Sequence, residues 1–99
     1  MKSPILIVTR HAPLVEWLKI HGVEGRVIAQ ATAADVEGKD VYGILPMWLA
    51  ASARSITEVS MPGLPLEARS KFNGGDFTVA QMDEWGAHME AYIVFKRVD

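Results

Sequence analysis

Residues 5–22 read ILIVTRHAPLVEWLKIHG, and this stretch contains the signals that decide the fold class. Its first five residues form a short run rich in branched side chains and apolar on both faces, which is typical of a buried central strand. Pro13 suits the first turn of a helix, and apolar side chains then recur at helical spacing until Gly22, which can end the helix. The stretch therefore predicts a strand, a short polar loop and a helix.

The alternation of strands and helices continues along the rest of the chain. Apolar, β-prone runs predict three further strands, at residues 26–30, 41–45 and 56–61. Helices are predicted at 47–54 and at 78–85, where Thr78 and Gln81 have the spacing of a capping box. We interpret residues 31–40 as a solvated connection that ends in a turn. This alternation indicates βαβ units, so we predict an α/β fold with a mostly parallel sheet of about five strands flanked by helices.

The segment that follows Gly86 fits two structures. Apolar residues at 89, 91, 93 and 95 alternate with more polar ones, and a period of two indicates a strand. In the competing interpretation, the helix at 78–85 continues to Phe95 and places an apolar stripe on one face. We favour the strand because a glycine inside a helix costs roughly 1 kcal/mol against alanine.

The composition is that of an ordinary globular protein. The chain has 99 residues, 49% of them apolar and 22% charged, so we expect one domain over residues 1–99. The absence of cysteine excludes a disulfide framework, a thiol nucleophile and a thiolate metal site. A net charge of −2 argues against general binding to duplex DNA or RNA. No apolar run approaches the roughly 20 residues that span a bilayer and no signal-peptide pattern is present, so we expect a cytoplasmic protein without membrane contact.

The loop of Thr9, Arg10 and His11 is the strongest candidate for a functional site. Ligands of open α/β sheets bind beyond the carboxyl ends of the strands, and this loop follows the predicted central strand and precedes a helix. Arginine offers a fork of donors for phosphate oxygens, histidine exchanges protons near neutral pH, and a helix N-terminus adds free N–H groups. Phosphate chemistry is the functional interpretation. The alternative is that Arg10 pairs with a surface carboxylate and His11 is an exposed loop residue.

Other polar residues give weaker signals. His21 is interpreted as a helix-end or core-edge residue, and His88 as an exposed one. The three histidines lack metal-ligand spacing, and the acidic residues at 35, 37 and 40 fit a charged turn, so we expect neither a metal nor a cofactor. Trp48 fits either core packing or stacking on a nucleobase.

Two known families share features with this chain. Arg10-His11-Ala12 after a strand resembles the Arg-His-Gly of the histidine phosphatases, although the chain is short for that fold. The other resemblance is the closer one, because it extends over nearly the whole chain. The chain resembles the small single-domain CRISPR-associated proteins of type III loci, relatives of the Rossmann-fold CARF sensor domains. The residues that carry it are Thr9-Arg10-His11, the segment 12–22, Ile44-Leu45-Pro46 with Leu49-Ala50, Leu64-Pro65-Leu66-Glu67-Ala68-Arg69, Gly86-Ala87 and Tyr92.

This resemblance implies a Rossmann-like (CARF-like) ring nuclease, a homodimer that binds and cuts cyclic oligoadenylate. An RNA-type linkage carries its own nucleophile, the 2′-OH, so cleavage needs no added metal or water. Arg10 and His11 are then the expected catalytic residues, with the phosphate held by Arg10 and proton transfer assigned to His11. The expected substrate-binding residues are Thr9, Ala12, Pro46, Met47, Trp48, Ser60, Met61 and Arg69. The alternatives are a module that only sequesters the cyclic ligand and a phosphatase that forms a phosphohistidine at His11.

Overall fold

Five strands form one sheet in the computed structural model, which describes residues 4–66 and 77–98. In chain order, the strands and helices are β1 (Ile5–Val8), α1 (Ala12–Ile20), β2 (Arg26–Ile28), α2 (Ala33–Val36), β3 (Asp40–Gly43), α3 (Met47–Ala50), β4 (Ser55–Ser60), α4 (Val79–Glu84) and β5 (His88–Tyr92). The sheet order is β2-β1-β3-β4-β5; the first four strands are parallel and β5 is antiparallel to β4. The predicted α/β fold with a mostly parallel sheet is confirmed.

The strand order reverses direction at β1. From β1 the chain crosses α1 to β2 on one side, and from β2 it crosses α2 to β3 on the other side. Because both parallel crossovers are expected to be right-handed, the reversal requires α1 and α2 to cover opposite faces of the sheet. The carboxyl ends of β1 and β3 then border a crevice that neither helix fills, which is where open α/β sheets bind ligands.

The core confirms this two-sided arrangement, because alternate residues of β1 and β3 belong to different clusters. On the face covered by α2 and α3, the buried residues are Leu6, Val8, Val36, Val41, Leu49, Ala50, Ala53 and Ile56. On the face covered by α1 and α4, they are Ile7, Leu14, Trp17, Leu18, Val23, Phe77 and Met82. The near-continuous apolar run of β1 is explained by this burial on both faces.

The predicted elements at both ends of the chain are confirmed. Residues 12–20 are helical, and His21 lies at the end of α1 with its ring stacked 3.8 Å from that of Trp17. Near the other end, α4 begins after Thr78 with the predicted capping box. Gly86 then adopts a φ of +77° and the chain enters a strand, so the helix that continued to Phe95 is excluded.

Residues 31–40 differ from the prediction. They contain the four-residue helix α2, whose first turn is capped by a reciprocal pair of hydrogen bonds between Thr32 and Asp35. The interpretation as a solvated connection missed this helix, because its single apolar anchor, Val36, is fully buried and gives no periodicity.

The helix predicted at 47–54 is shorter in the structure and ends at Ala50. The chain leaves the helix because Ala53 forms a backbone bridge with Glu37, and the Arg54 N–H donates to the carbonyl of Lys39 at 2.8 Å. The N–H groups of Ser52 and Ala53 still donate to carbonyls three residues back, and the Arg54 N–H is the first to bond outside the helix. In the described residues, no helix is long and apolar enough to cross a bilayer.

Candidate phosphate-binding site

Thr9 fixes the loop that follows β1. Its backbone N–H donates to the carbonyl of Ile28 in β2 at 3.0 Å, which extends the parallel pairing by one residue. Its hydroxyl oxygen accepts a hydrogen bond from the N–H of His11, also at 3.0 Å. The two bonds hold the turn between β1 and α1, so the side chains of residues 10 and 11 project from a rigid backbone.

His11 is the residue immediately before α1, with extended backbone angles of φ −104° and ψ 107°. Its ring is half-buried and lies 5.3 Å from the ring of Phe77, tilted by 53°. The Nδ1 atom faces the protein interior. His11 is therefore held against the core, and the interpretation as an exposed loop residue is wrong.

Arg10 is exposed at the same turn and, within residues 4–66 and 77–98, takes no part in an ion pair. The alternative in which it pairs with a described surface carboxylate is therefore excluded. No acidic residue lies in the first turn of α1, and no side chain caps it in the described structure. Pro13 has no N–H and the N–H of Leu14 donates to the His11 carbonyl, so the Ala12 N–H is the donor that the first turn offers. This N–H and the guanidinium give this end of α1 a local positive potential, although the whole chain is acidic.

Two cavities adjoin this turn, and residues 9–11 line both. The cavity of about 220 Å³ lies at the crevice between β1 and its neighbours and is lined by Val8, Thr9, Arg10, His11, Leu14, Ala29 and Ile44. The cavity of about 430 Å³ runs along α1 and includes Ala12, Glu16 and Lys19. The arrangement can bind an anion at Arg10 while His11 exchanges a proton with the same ligand.

The predicted site residues are only partly brought together. Thr9, Arg10, His11 and Ala12 meet at the turn described above. By contrast, none of the other described candidates, Pro46, Met47, Trp48, Ser60 and Met61, lines either cavity. Arg69 lies outside the described residues.

The residues at the start of α3 face solvent. Pro46 precedes the helix, and the side chains of Met47 and Trp48 are 75% and 70% exposed. Core packing of Trp48 is therefore wrong, while stacking on a base stays a prediction. At the end of β4, Ser60 pairs with His88 of β5, and Met61 packs against the cluster beneath α1.

Sequence reasoning missed several residues around the site, among them Ala29, Ile44 and Phe77. Ala29 and Ile44 follow the carboxyl ends of β2 and β3, so the rule that placed Thr9–His11 at the site would have found them too. Phe77 contacts His11 from a segment 66 residues away, just before α4, and no local pattern predicts that contact.

The acidic residues that suggested a charged turn have separate structural roles. Asp35 caps α2, and Asp40 accepts a hydrogen bond from Ser55 at 2.7 Å and lies 3.5 Å from Arg54. Among the described residues, no three His, Cys, Asp or Glu side chains are grouped as a metal site would require.

Comparison with known protein families gives a match over most of the chain. The model of a family described as "Putative CRISPR-associated protein (Cas_VVA1548)" matches residues 6–95. The chain belongs to this CRISPR-associated family. Searches of curated proteins and of solved structures gave no match.

Proposed function

We propose that this CRISPR-associated chain is a ring nuclease that binds and cleaves cyclic oligoadenylate, with cyclic tetra-adenylate as the preferred ring. Cleavage would remove the messenger and switch off type III CRISPR signalling. The observation that carries the proposal is the pairing of an exposed arginine with a half-buried histidine at the N-terminal end of α1, beside the crevice between β1 and β3. Membership in a CRISPR-associated family supports the same substrate class.

Cleavage of this phosphodiester bond depends on the alignment of the reacting atoms and not on added water or metal. The ribose 2′-oxygen attacks the adjacent 3′-phosphorus, the bond from phosphorus to the 5′-oxygen breaks, and a 2′,3′-cyclic phosphate forms. The 2′-OH loses a proton and the departing 5′-oxygen gains one, so the reaction balances without water. Alignment of the three atoms can contribute roughly 7–11 kcal/mol, and general acid–base catalysis about 10²–10⁴-fold in rate.

The side chains at the turn supply both requirements. Arg10 and the N–H of Ala12 would hold the non-bridging phosphate oxygens and stabilise the charge that develops on them. His11 would transfer the proton, and Nε2 is the nitrogen for this role because Nδ1 faces the interior. The Thr9 hydroxyl accepts a hydrogen bond from His11 N–H, and its own proton is available to a ribose or phosphate oxygen.

The symmetry of the substrate requires two copies of the chain. One copy provides a single Arg10–His11 pair, whereas a cyclic tetra-adenylate repeats the same linkage four times around an approximate symmetry axis. A two-fold homodimer presents the site twice and matches a symmetric ring. The positive potential is then limited to a local cleft, which disfavours unrelated nucleic acids.

The first prediction tests the chemistry directly. Purified protein is incubated with cyclic tri-, tetra- and hexa-adenylate, with and without EDTA, and the products are measured by mass. We expect linear adenylates that end in 2′,3′-cyclic phosphate, and chelator should not reduce their yield. His11→Ala and Arg10→Ala should each slow cleavage by at least about 100-fold while far-UV circular dichroism stays unchanged.

His21→Ala is the matched control, because it removes an imidazole from the opposite end of the same helix. It should cleave at nearly the wild-type rate. Tight binding of intact ring without product would show a sequestering module instead. Hydrolysis of an aryl phosphate with a phosphohistidine at His11 would show a phosphatase. Cleavage by His11→Ala at the wild-type rate would contradict the catalytic role of His11.

A further inference from the structure

Six large apolar side chains around α3 and the C-terminal segment are exposed together. They are Ile44, Met47, Trp48, Tyr92, Ile93 and Phe95, with exposed fractions between 49% and 84%. We call this set the α3–tail surface. Two grooves of about 550 and 470 Å³ run through it, and they adjoin because Met47, Val94 and Phe95 line both.

The size of the α3–tail surface is that of a protein interface. Single exposed apolar residues are normal, but contiguous apolar patches above a few hundred Å² mark interaction sites. The six side chains expose on the order of 800 Å² together, which is about the area that each partner of a stable complex buries. A second copy of the chain, which brings an equal patch, would cover it fully.

We propose that two copies of this chain associate through their α3–tail surfaces. An isologous interface must be complementary to itself. Glu58 lines the larger groove and lies opposite Glu90 on the neighbouring strand, while Lys96 lines the smaller groove. Glu90 is already engaged by the Tyr92 hydroxyl and by His88 of its own chain. The surface therefore carries both signs of charge around an apolar centre, and a two-fold axis can place the Glu58 carboxylate of one copy against the lysine of the other.

The same charges argue against the other occupants of an apolar groove. Two carboxylates on neighbouring strands repel the phosphates of a nucleic acid or of an anionic lipid headgroup. An apolar centre with a polar rim is instead typical of a protein interface. No described strand pairs with the outer side of β5, so this edge of the sheet is open. The open edge borders the α3–tail surface.

The interface also adjoins the candidate catalytic site, and this part of the inference rests on the proposed function. Ile44 lines both the larger groove and the 220 Å³ cavity that contains Arg10 and His11. A copy seated on the α3–tail surface would therefore approach the Arg10–His11 cavity of its partner. The dimer would place the two cavities on the same side of the assembly, as a single ring requires.

The test compares one substitution at two positions. Ile93 belongs to the surface and is 65% exposed, whereas Ile20 ends α1, outside the surface, and is 64% exposed. Ile93→Glu places an unpaired charge in the interface twice per dimer, and we expect the dimer Kd to rise at least about 100-fold. Ile20→Glu should leave it within about threefold. Sedimentation velocity over a dilution series measures both, and far-UV circular dichroism checks the fold.

Trp48→Glu repeats the test on a different element. If the variant at one of the two positions does not fold, the variant at the other position still tests the interface. Hydrogen exchange of the unaltered protein needs no variant, and amides of residues 47–51 and 93–96 should exchange faster on dilution. A monomeric wild type, equal effects of Ile93→Glu and Ile20→Glu, or exchange independent of concentration would each overturn the interface.

The results that would contradict the interface differ from those that would contradict the nuclease function. If the protein dimerises through this surface but does not cleave cyclic oligoadenylate, the interface is supported and the nuclease function is contradicted. If the protein cleaves the ring but Ile93→Glu and Trp48→Glu leave the dimer intact, the nuclease function is supported and the interface is contradicted. His11→Ala should slow cleavage by at least about 100-fold and leave the dimer Kd unchanged.

Discussion

Gly43 is the residue at which the chain leaves β3, beside the carboxyl end of β1. Its φ is +139°, a region that residues with a side chain rarely adopt, and a Cβ built there would collide with the carbonyl oxygen of Val8. The close approach lets Thr9 and Ile44 emerge side by side and line one cavity. A glycine inside a predicted strand thus marks the position where two backbones must approach closely.

Gly43→Ala should therefore lower the free energy of unfolding by about 2–4 kcal/mol, from backbone strain and a steric clash together. Gly22→Ala is the control, because Gly22 also has a positive φ, +86°, but no heavy atom lies within 4 Å of its built Cβ. There only the strain of about 1–2 kcal/mol applies. Urea denaturation measures both variants, and equal losses would contradict the role of the Val8 contact.

At the level of single elements, the two capping boxes differ in one respect. A threonine N-cap precedes both α2 and α4, but the side chain that bonds back to the threonine N–H is Asp35 in α2 and Gln81 in α4. The Thr32 N–H, at 2.8 Å, and then the Thr32 hydroxyl, at 3.0 Å, hold the pKa of Asp35 below its usual 3.8. Only the cap of α2 can therefore respond to acid.

The sign of this response follows from the direction of the shift. Because the pKa of Asp35 is lower in the folded state, its contribution to stability is complete above 3.8 and is lost as the pH falls through the folded-state value. In a carboxyl titration by NMR, Asp35 should have a midpoint below 3.8. Thr32→Val removes the hydroxyl but keeps the N–H, so the midpoint should rise only part of the way.

The cap of α4 provides the comparison for this prediction. Thr78→Val should weaken α4 by about 1 kcal/mol at every pH, because Gln81 does not titrate. A midpoint of Asp35 at or above 3.8, or one that does not move in Thr32→Val, would contradict the assigned hydrogen bonds.

On the scale of the whole molecule, a side-chain hydrogen bond joins α1 to α4. The indole Nε1–H of Trp17 in α1 donates to Asp83 Oδ1 in α4 at 2.9 Å. Trp17 is almost fully buried, so its N–H needs this acceptor. The bond fixes α4 against α1 and thereby helps to place Phe77, just before α4, beside His11.

Asp83→Ala should cost about 1–3 kcal/mol in the free energy of unfolding, because it leaves a buried donor unsatisfied. Asp83→Asn keeps a carbonyl oxygen at the same position and should retain most of the stability. Glu84→Ala changes the neighbouring exposed residue and should stay within about 0.5 kcal/mol of wild type. Chemical denaturation measures all three, and equal losses in the alanine and asparagine variants would contradict the hydrogen bond.

Much of the fold was predictable from local patterns. The buried strand at 5–8, the helix that follows it and the capped helix after Thr78 each have a periodicity or a cap that depends only on neighbouring residues. The short helix α2 was not predictable in this way, since Val36 alone anchors it through a contact with residues far along the chain.

The sequence by itself determined the α/β class, the acidic and cysteine-free character of the chain, and the position of Thr9-Arg10-His11 after a central strand. Tertiary structure alone decided that Phe77 packs on His11, that Ile44 joins the cavity, and that Trp48 faces solvent. The physical reason is the separation in sequence over which each effect acts. The periodicity of helices and strands and the capping of helices depend on residues a few positions apart, whereas burial depends on which distant segments meet across the sheet.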